Sequence, residues 1–516
     1  ASALDKNVLD SAFYYFRRTY DTTNGGFGGA PKFPRPVVFN FLLRYYARYG
    51  NQEALEMTVH TLHAMAEGGM NDQLGGGFHR YSVDERWFVP HFEKMLYDQA
   101  QLAVAYIESY QITRDASLAA VARSILDYVL RDMTHPEGGF YSAEDADSAA
   151  DPAKPTDKSE GAFYVWTRQE IDRILGNPEA AIFSYRFGVA AEGNVSEDPH
   201  GEFSDKNILF VRHTLEETAD HFHISPDTVG SRLNKSIAKL FEERGDRPRP
   251  YLDDKILTAW NGLMISAFAK GAQVLDERRY LEAARNAATF LLDRMYDRTT
   301  GQLLRRFRDG DAAIPAFLDD YAFLIHGLLD LYESDFDSKW LNTAIALAEK
   351  MRELFEDATD GGFYSTPDGD ERLLLRIKDD YDGAEPSGNS IALIGLLRLA
   401  EFTKRTDFRD AAEKTLNALG SRIANQPVAV PQMLAAVGYY MGPRRQVIIA
   451  GDPEAQLTKA LLKTYRSRFL PSSIVLFADA NSDMKELNGN PTAYVCENYT
   501  CKLPTSELDR FDELLQ

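Results

Sequence analysis

Two imidazoles carry the first chemical signal. His79 and His91 lie in the run from Gly77-Phe78-His79-Arg80-Tyr81 to Asp98, which also holds Trp87 and Lys94. Imidazoles titrate near neutral pH, so such a pair could move a proton on and off a carbon beside a carbonyl, as epimerisation requires. Carboxylates recur further along: Asp253-Asp254 before Trp260-Asn261, Asp319-Asp320 before Tyr321, and Glu385 before Asn389. Two carboxyls flanking a glycosidic bond are the machinery of glycoside cleavage, and their separation sets inversion or retention. Indole and phenol faces suit sugar rings, and short acids and amides suit hydroxyls. The expected catalytic set is His79, His91, Asp254, Asp319 and Glu385. Arg80, Tyr81, Trp87, Lys94, Asp98, Trp260, Asn261, Tyr321 and Asn389 are the expected substrate contacts. His91, Lys94 and Asp98, at i, i+3 and i+7, are predicted to share one helical face. Carboxylates outnumber imidazoles, which favours a glycoside hydrolase-like reading over an N-acylglucosamine 2-epimerase-like one. A non-catalytic binding or scaffold module, its polar rim structural, is the third reading.

Other clusters point to less. Glu144-Asp145-Ala146-Asp147 lacks the spacing and glycine of an EF-hand and reads as a capped turn. His221 and His223 have no evident further ligands, so neither metal nor cofactor is expected. Cys496 and Cys501 have four residues between them, too many for a redox Cys-x-x-Cys; a disulfide, a metal pair and two quiet thiols are all open, and quiet thiols in a reducing, cytoplasmic setting are the favoured reading. Residues 215–235 resemble a helix-turn-helix. The first helix is acidic, however, Gly230 weakens the second, and the 516-residue chain has a formal charge of −21, so nucleic acid is not an expected partner. No uncharged apolar run is long enough to span a bilayer, and a soluble protein taking a small-molecule or oligosaccharide substrate is expected.

The elements that must position these groups follow from a repeat. A Gly-Gly-Phe phrase recurs at Gly25-Gly26-Phe27, Gly76-Gly77-Phe78, Gly138-Gly139-Phe140 and Gly361-Gly362-Phe363, each after a helical segment. Amphipathic helices are predicted at about 4–20, 52–67, 117–133, 278–296, 338–357 and 407–424. Between them, segments apolar nearly all round are predicted at about 36–48, 92–110, 255–273, 319–333, 388–402 and 431–441. A helix without a broad polar face must be covered on all sides, so the second set is inner and the first outer. Six such pairs describe a mainly α (α/α)6 toroid over residues 1–442, interrupted by an insertion at about 144–250 that covers one mouth of the ring. Strand-like Gln446–Ala450 and Ser473–Phe477 flank a helix, which predicts a small α/β domain over 443–516.

Several long phrases occur in one order: Gly29-Ala30-Pro31-Lys32-Phe33-Pro34, Gly77-Phe78-His79-Arg80-Tyr81, Tyr141-Ser142-Ala143-Glu144-Asp145-Ala146-Asp147-Ser148, Glu160-Gly161-Ala162-Phe163-Tyr164-Val165-Trp166, Leu252-Asp253-Asp254-Lys255 and Pro386-Ser387-Gly388-Asn389. In these the chain resembles the thioredoxin-domain-containing family that includes spermatogenesis-associated protein 20. The resemblance implies a helical part similar to six-hairpin glycosidases and N-acylglucosamine 2-epimerases. Members of that family begin with a thioredoxin-like domain, which this chain does not contain. A thioredoxin-like domain is therefore an expected partner, and no redox role carries over.

Overall fold

Alternating amphipathic and all-apolar segments demand two concentric layers, and the computed structural model, which describes residues 4–196, 201, 203–368, 375–478 and 483–516, has them. Eighteen α-helices lie among the described residues. The first five are α1 (Lys6–Thr19), α2 (Pro36–Tyr49), α3 (Gln52–Glu67), α4 (Leu96–Thr113) and α5 (Ala116–Asp132). Four more, α6 (Arg168–Leu175), α7 (Glu179–Arg186), α8 (Leu215–Phe222) and α9 (Pro226–Arg244), belong to the insertion. The ring resumes with α10 (Thr258–Leu275), α11 (Arg278–Arg294), α12 (Leu318–Asp335), α13 (Ser338–Phe355), α14 (Gly388–Thr403), α15 (Thr406–Asn425) and α16 (Pro431–Met441). Helices α17 (Gln456–Ser467) and α18 (Leu508–Leu514) complete the chain.

The inner helices α2, α4, α10, α12, α14 and α16 each pack on the next, and α16 packs back on α2, so the ring closes. One apolar core runs through all twelve ring helices. The inner helices α4 and α10 begin at Leu96 and Thr258, later than their apolar runs suggest, because Lys94–Met95 and Ile256–Leu257 are drawn into short strands. His91 and Lys94 therefore precede the helix, and the single helical face expected for His91, Lys94 and Asp98 does not form.

The Gly-Gly-Phe phrases are the hinges between layers. Each places its aromatic residue in a β-bridge with the end of the preceding outer helix: Tyr20 with Phe27, Asn71 with Phe78, Thr134 with Phe140, and Glu356 with Phe363. Both glycines at 25–26, 76–77 and 361–362 have positive φ, which a side chain would resist. A first-turn residue of the following inner helix then clamps the aromatic residue's backbone. Gln99, Asn261 and Asn389 each accept from the N–H of Phe78, Phe140 and Phe363 at 2.8, 2.8 and 2.9 Å, and donate to the same residues' carbonyls. On α12 the Tyr321 hydroxyl takes this place, accepting from Leu303 N–H at 2.9 Å.

A second clamp repeats three times. The ammonium of Lys32 donates to Asp21 (2.6 Å) and to the Gly25 carbonyl (2.8 Å). Lys94 does the same to Asp72 and Gly76, both at 2.9 Å. Lys378 does so to Asp357 (2.8 Å) and Gly361 (2.7 Å).

The insertion grows from a three-stranded neck in which Ala143–Glu144 pairs with Lys94–Met95 on one side and Leu252–Asp253 on the other. It has a core of its own and is tied to the ring by Arg244, which grips Asp72 with two nitrogens at 2.8 and 2.9 Å. At the other end of the ring, parallel strands Arg445–Ala450 and Ser473–Phe477, joined through α17, sit against the inner helices' C-termini. Arg466 donates there to the carbonyls of Glu333 and Ser334, both at 2.8 Å. Cys496 and Cys501 are not the quiet thiols expected. They are bonded to each other, because the hairpin Thr492–Cys501 sets them directly opposite across an antiparallel pair.

Lys32 is fully buried and holds one carboxylate and two carbonyls. Lys32→Met leaves Asp21 without its ammonium, and a loss of about 3 kcal/mol in urea unfolding is expected. A change under about 1 kcal/mol would show that the clamp contributes little.

Candidate functional site

The inner helices run parallel, so their N-termini and the loops before them gather at one mouth of the ring. Arg80 reaches Glu93 at 2.9 Å and acts electrostatically on the Tyr97 hydroxyl. The Tyr97 ring meets Trp260 edge-on, centroids 4.9 Å apart. The Trp260 indole in turn acts on the Glu385 carboxyl, favouring its charged form. Gln101 anchors the loop bearing Glu385 by donating to the Ala384 carbonyl at 2.9 Å. Arg305, from the hairpin strand Gln302–Arg308, spans Asp319 at 3.0 Å and Asp320 at 2.8 Å, and both Arg305 and Asp319 act electrostatically on Glu385. Arg80, Asp98, Trp260, Asp319 and Glu385 thus stand at one mouth.

Three carboxyls there are displaced from their ordinary acidity. Asp98 is 3% exposed, and one of its oxygens has no hydrogen-bond partner. Burial pushes it well above the usual carboxylate range; Arg80 opposes this, while Glu385 and Glu93 add to it. Burial, aided by Asp319, raises Glu385 to about 7. Burial and then Asp319 also raise Asp320, against the Arg305 guanidinium and the N–H groups of Ala259 and Phe317. A carboxyl that can hold or release a proton near neutrality is suited to general acid–base work.

Other residues singled out by type have partners of their own, His91 at the edge of the mouth through Glu93. His79 is 1% exposed, bonded through Nδ1 to the Phe92 carbonyl at 2.9 Å and wedged between the rings of Phe92 and Tyr164. Burial and the nearby Lys94 lower it to about 3, so it stays neutral. His91 bonds Glu160 at 2.7 Å and lies 3.7 Å from Glu93; these two carboxylates raise it to about 9. Tyr81 is stacked between His91 and Phe33. Trp87 is fully buried and donates to the Asn24 carbonyl at 2.9 Å. Asp254 pairs with Arg308 at 2.7 Å on the neighbouring hairpin. Lys94, Asn261, Tyr321 and Asn389 are the clamps described above. Among the described residues no group of His, Cys, Asp or Glu is arranged to hold a metal ion.

The sequence reading missed Glu93, Tyr97 and Arg305 at the mouth, and the charged lining of the central cavity, whose volume is about 1060 Å³. Its walls include Arg44, Glu108, Lys270, His326, Asp330 and Arg398, one or two from each of five inner helices. Their signal was a charge inside an otherwise apolar helix.

This ring of helical hairpins with an acidic mouth has the fold of a class of sugar-acting enzymes. The chain matches cellobiose 2-epimerase from Bacillus thermoamylovorans at TM-score 0.51, over 81% of this chain and 86% of that one, with 12% identity. It matches a GH76 alpha-mannanase of Bacteroides thetaiotaomicron at TM-score 0.50, over 84% and 96%, with 11% identity. These likenesses establish the (α/α)6 toroid. No family model matches the chain. In sequence it is 40% identical to spermatogenesis-associated protein 20 of Homo sapiens, over 98% of this chain and 69% of that protein, and it belongs to the spermatogenesis-associated protein 20 family. No helix among the described residues is long and apolar enough to cross a membrane.

The raised Glu385 gives a sign to the pH dependence. A carboxyl at about 7 when folded and 4.5 when unfolded contributes stability that is complete below about 4.5 and is lost as pH rises through about 7. Urea midpoints from pH 4 to 8 should therefore fall less steeply in Glu385→Gln than in the parent chain. Parallel curves would place the Glu385 pKa near its ordinary value.

Proposed function

We propose that this protein is a carbohydrate-active enzyme that works by acid–base chemistry at the ring mouth, cleaving a glycosidic bond. The observation that carries this reading is the clustering of Asp98, Asp319 and Glu385 with Trp260, Tyr97, Arg80 and Arg305. In it, protonated Glu385 is the general acid to the leaving oxygen, and Asp319, held by Arg305, is the carboxylate that activates water or stabilises the developing positive charge. Asp98 keeps an unpartnered oxygen for a substrate hydroxyl, and Trp260 offers a face to a sugar ring. The hydrolytic reading is favoured over proton shuttling by paired imidazoles because His79 is sealed and neutral and His91 is held between two carboxylates. A thioredoxin-like domain remains a proposed partner, and a cytoplasmic setting a proposed location.

The test is reducing-sugar release from a panel of α- and β-linked oligosaccharides by the parent chain, Glu385→Gln and Asp319→Asn. Activity in the parent and a loss of ~10²-fold or more in each variant, with unchanged circular dichroism, is the expected outcome. A parent chain inactive on every linkage, or variants as active as the parent, would leave a binding or scaffold role as the better reading.

A further inference from the structure

The axial cavity lies below the mouth. Along α4, Asp98 at the mouth and Glu108 in the cavity wall are ten residues apart, about 15 Å at helical rise. At that depth the wall carries a belt of charges in helices that are otherwise apolar. Glu108 is held by Arg44 with two bonds of 2.9 Å. Asp330 is held by Arg398 at 2.9 Å and by the Ser266 hydroxyl. Arg398 also holds Glu333 at 2.7 Å. These acids and arginines satisfy one another.

Two groups in the belt are not satisfied. The Lys270 ammonium stands 3.8 Å from Glu108 and 3.9 Å from Asp330, beyond hydrogen-bond reach of both. His326 lies 3.6 Å from Asp330 through Nε2, and its Nδ1 has no partner. Both side chains face the cavity. From the Lys270 ammonium and the Nε2 edge of His326, neither of them in a hydrogen bond, we propose that the axial cavity binds a neutral polyhydroxylated small molecule, with Lys270 and His326 as its direct contacts.

The chemistry of the belt selects that class. Around Lys270 and His326, Arg44, Lys270 and Arg398 balance Glu108, Asp330 and Glu333. The cavity's further cations, Arg48, Arg114, Arg445, Arg466 and Arg468, are bonded to backbone carbonyls or, for Arg445 and Arg468, to Glu497 and Asp512, so this stretch of the wall has no free charge to attract an ion. An oxyanion drawn to Lys270 would lie against Glu108 and Asp330, and like charges at that spacing repel. An apolar guest would bury the ammonium and the imidazole without partners. A hydroxyl meets both demands, because it accepts from Lys270 while donating to a carboxylate beside it. Burial holds His326 near 4, so its unprotonated ring can pair with a hydroxyl as donor or acceptor. The cavity's lining runs up to Gln101 and Pro386 beside the mouth, but Lys270 and His326 are not among the mouth residues, and the proposal does not depend on catalysis there.

Binding to the whole chain can be read by saturation-transfer NMR and calorimetry with D-mannose, D-glucose and sorbitol, against gluconate, glucose 6-phosphate and toluene. The neutral polyols should saturate within tens of millimolar, and the anions and toluene should bind more weakly. Lys270→Met and His326→Leu should each weaken the polyols at least tenfold, while Arg278→Gln on the exposed face of the outer layer leaves them unchanged. Lys270→Met leaves Glu108 and Asp330 with their arginines; if it nevertheless fails to fold, His326→Leu alone decides. No saturation by any polyol, tighter binding of an anion than of its neutral counterpart, or polyol binding indifferent to the cavity substitutions would each overturn the proposal. An equal loss of binding in Arg278→Gln would mean that the cavity substitutions act through the fold and would overturn it as well.

Discussion

The lysine buried between an aspartate and a glycyl carbonyl is the interaction on which the mouth of this ring depends. Moving an ammonium and a carboxylate out of water costs several kcal/mol each, and their attraction recovers this only where the geometry is close and every remaining valence is filled. Lys94 meets that condition with Asp72 and the Gly76 carbonyl, under the Tyr128 ring, and Asp72 is closed from its other side by Arg244. Burial pulls Lys94 downward while Asp72 resists, and Asp72, facing two cations, is held well below the usual range. A pair so placed adds little net stability compared with well-packed hydrocarbon, but it tolerates no other arrangement of the loop. It therefore fixes where the following inner helix starts, and so where Tyr97 and Asp98 stand.

The two ends of the ring are electrostatically unlike. Parallel inner helices direct their N-terminal N–H groups toward the mouth and their C-terminal carbonyls toward the other end. Acids occupy the first turns, with Asp98 on α4 and Asp319 and Asp320 on α12, while Asp382 accepts from Ser387 N–H at the start of α14. At the far end arginines meet carbonyls: Arg48 bonds Gly438 and Met441, and Arg466 bonds Glu333 and Ser334. Arg466 of the C-terminal element is thus complementary to the carbonyl end it covers, and the acidic mouth is left to the insertion and loops.

The layered architecture was legible because burial imposes period and polarity on side chains. The inner run 431–441 and the outer run 52–67 match α16 and α3 at both ends. The site was legible only in part, for a specific reason. Lys94, Asn261, Asn389 and Tyr321 are polar residues in front of apolar helices, as substrate contacts would be, but their partners are backbone groups of turns distant in sequence. A backbone N–H looks the same in every sequence, so its demand for an acceptor cannot be read from residue types. Arg305 was invisible because it arrives from a hairpin whose register brings it to Asp319, and Cys496 and Cys501 were misread because their pairing too is a matter of register. The axial belt left only single charges in apolar helices, each of which reads alone as an ion pair of unknown partner.

The mouth and the clamps together explain why Asp98 can stand with an oxygen unpaired. A buried polar atom without a partner costs about 1–3 kcal/mol, which a chain of this size can carry only where its surroundings are held in place by something else. Around Asp98 the holding is done by Gln99, the next residue, locked to both backbone groups of Phe78, and by Lys94 before the helix. Because those neighbours spend their hydrogen bonds on the scaffold, they cannot turn to satisfy Asp98. Relief would come from outside the chain, and a ligand hydroxyl reaching that oxygen would recover in binding what folding left unpaired. In this ring the structural clamps and the open valence are two parts of one arrangement.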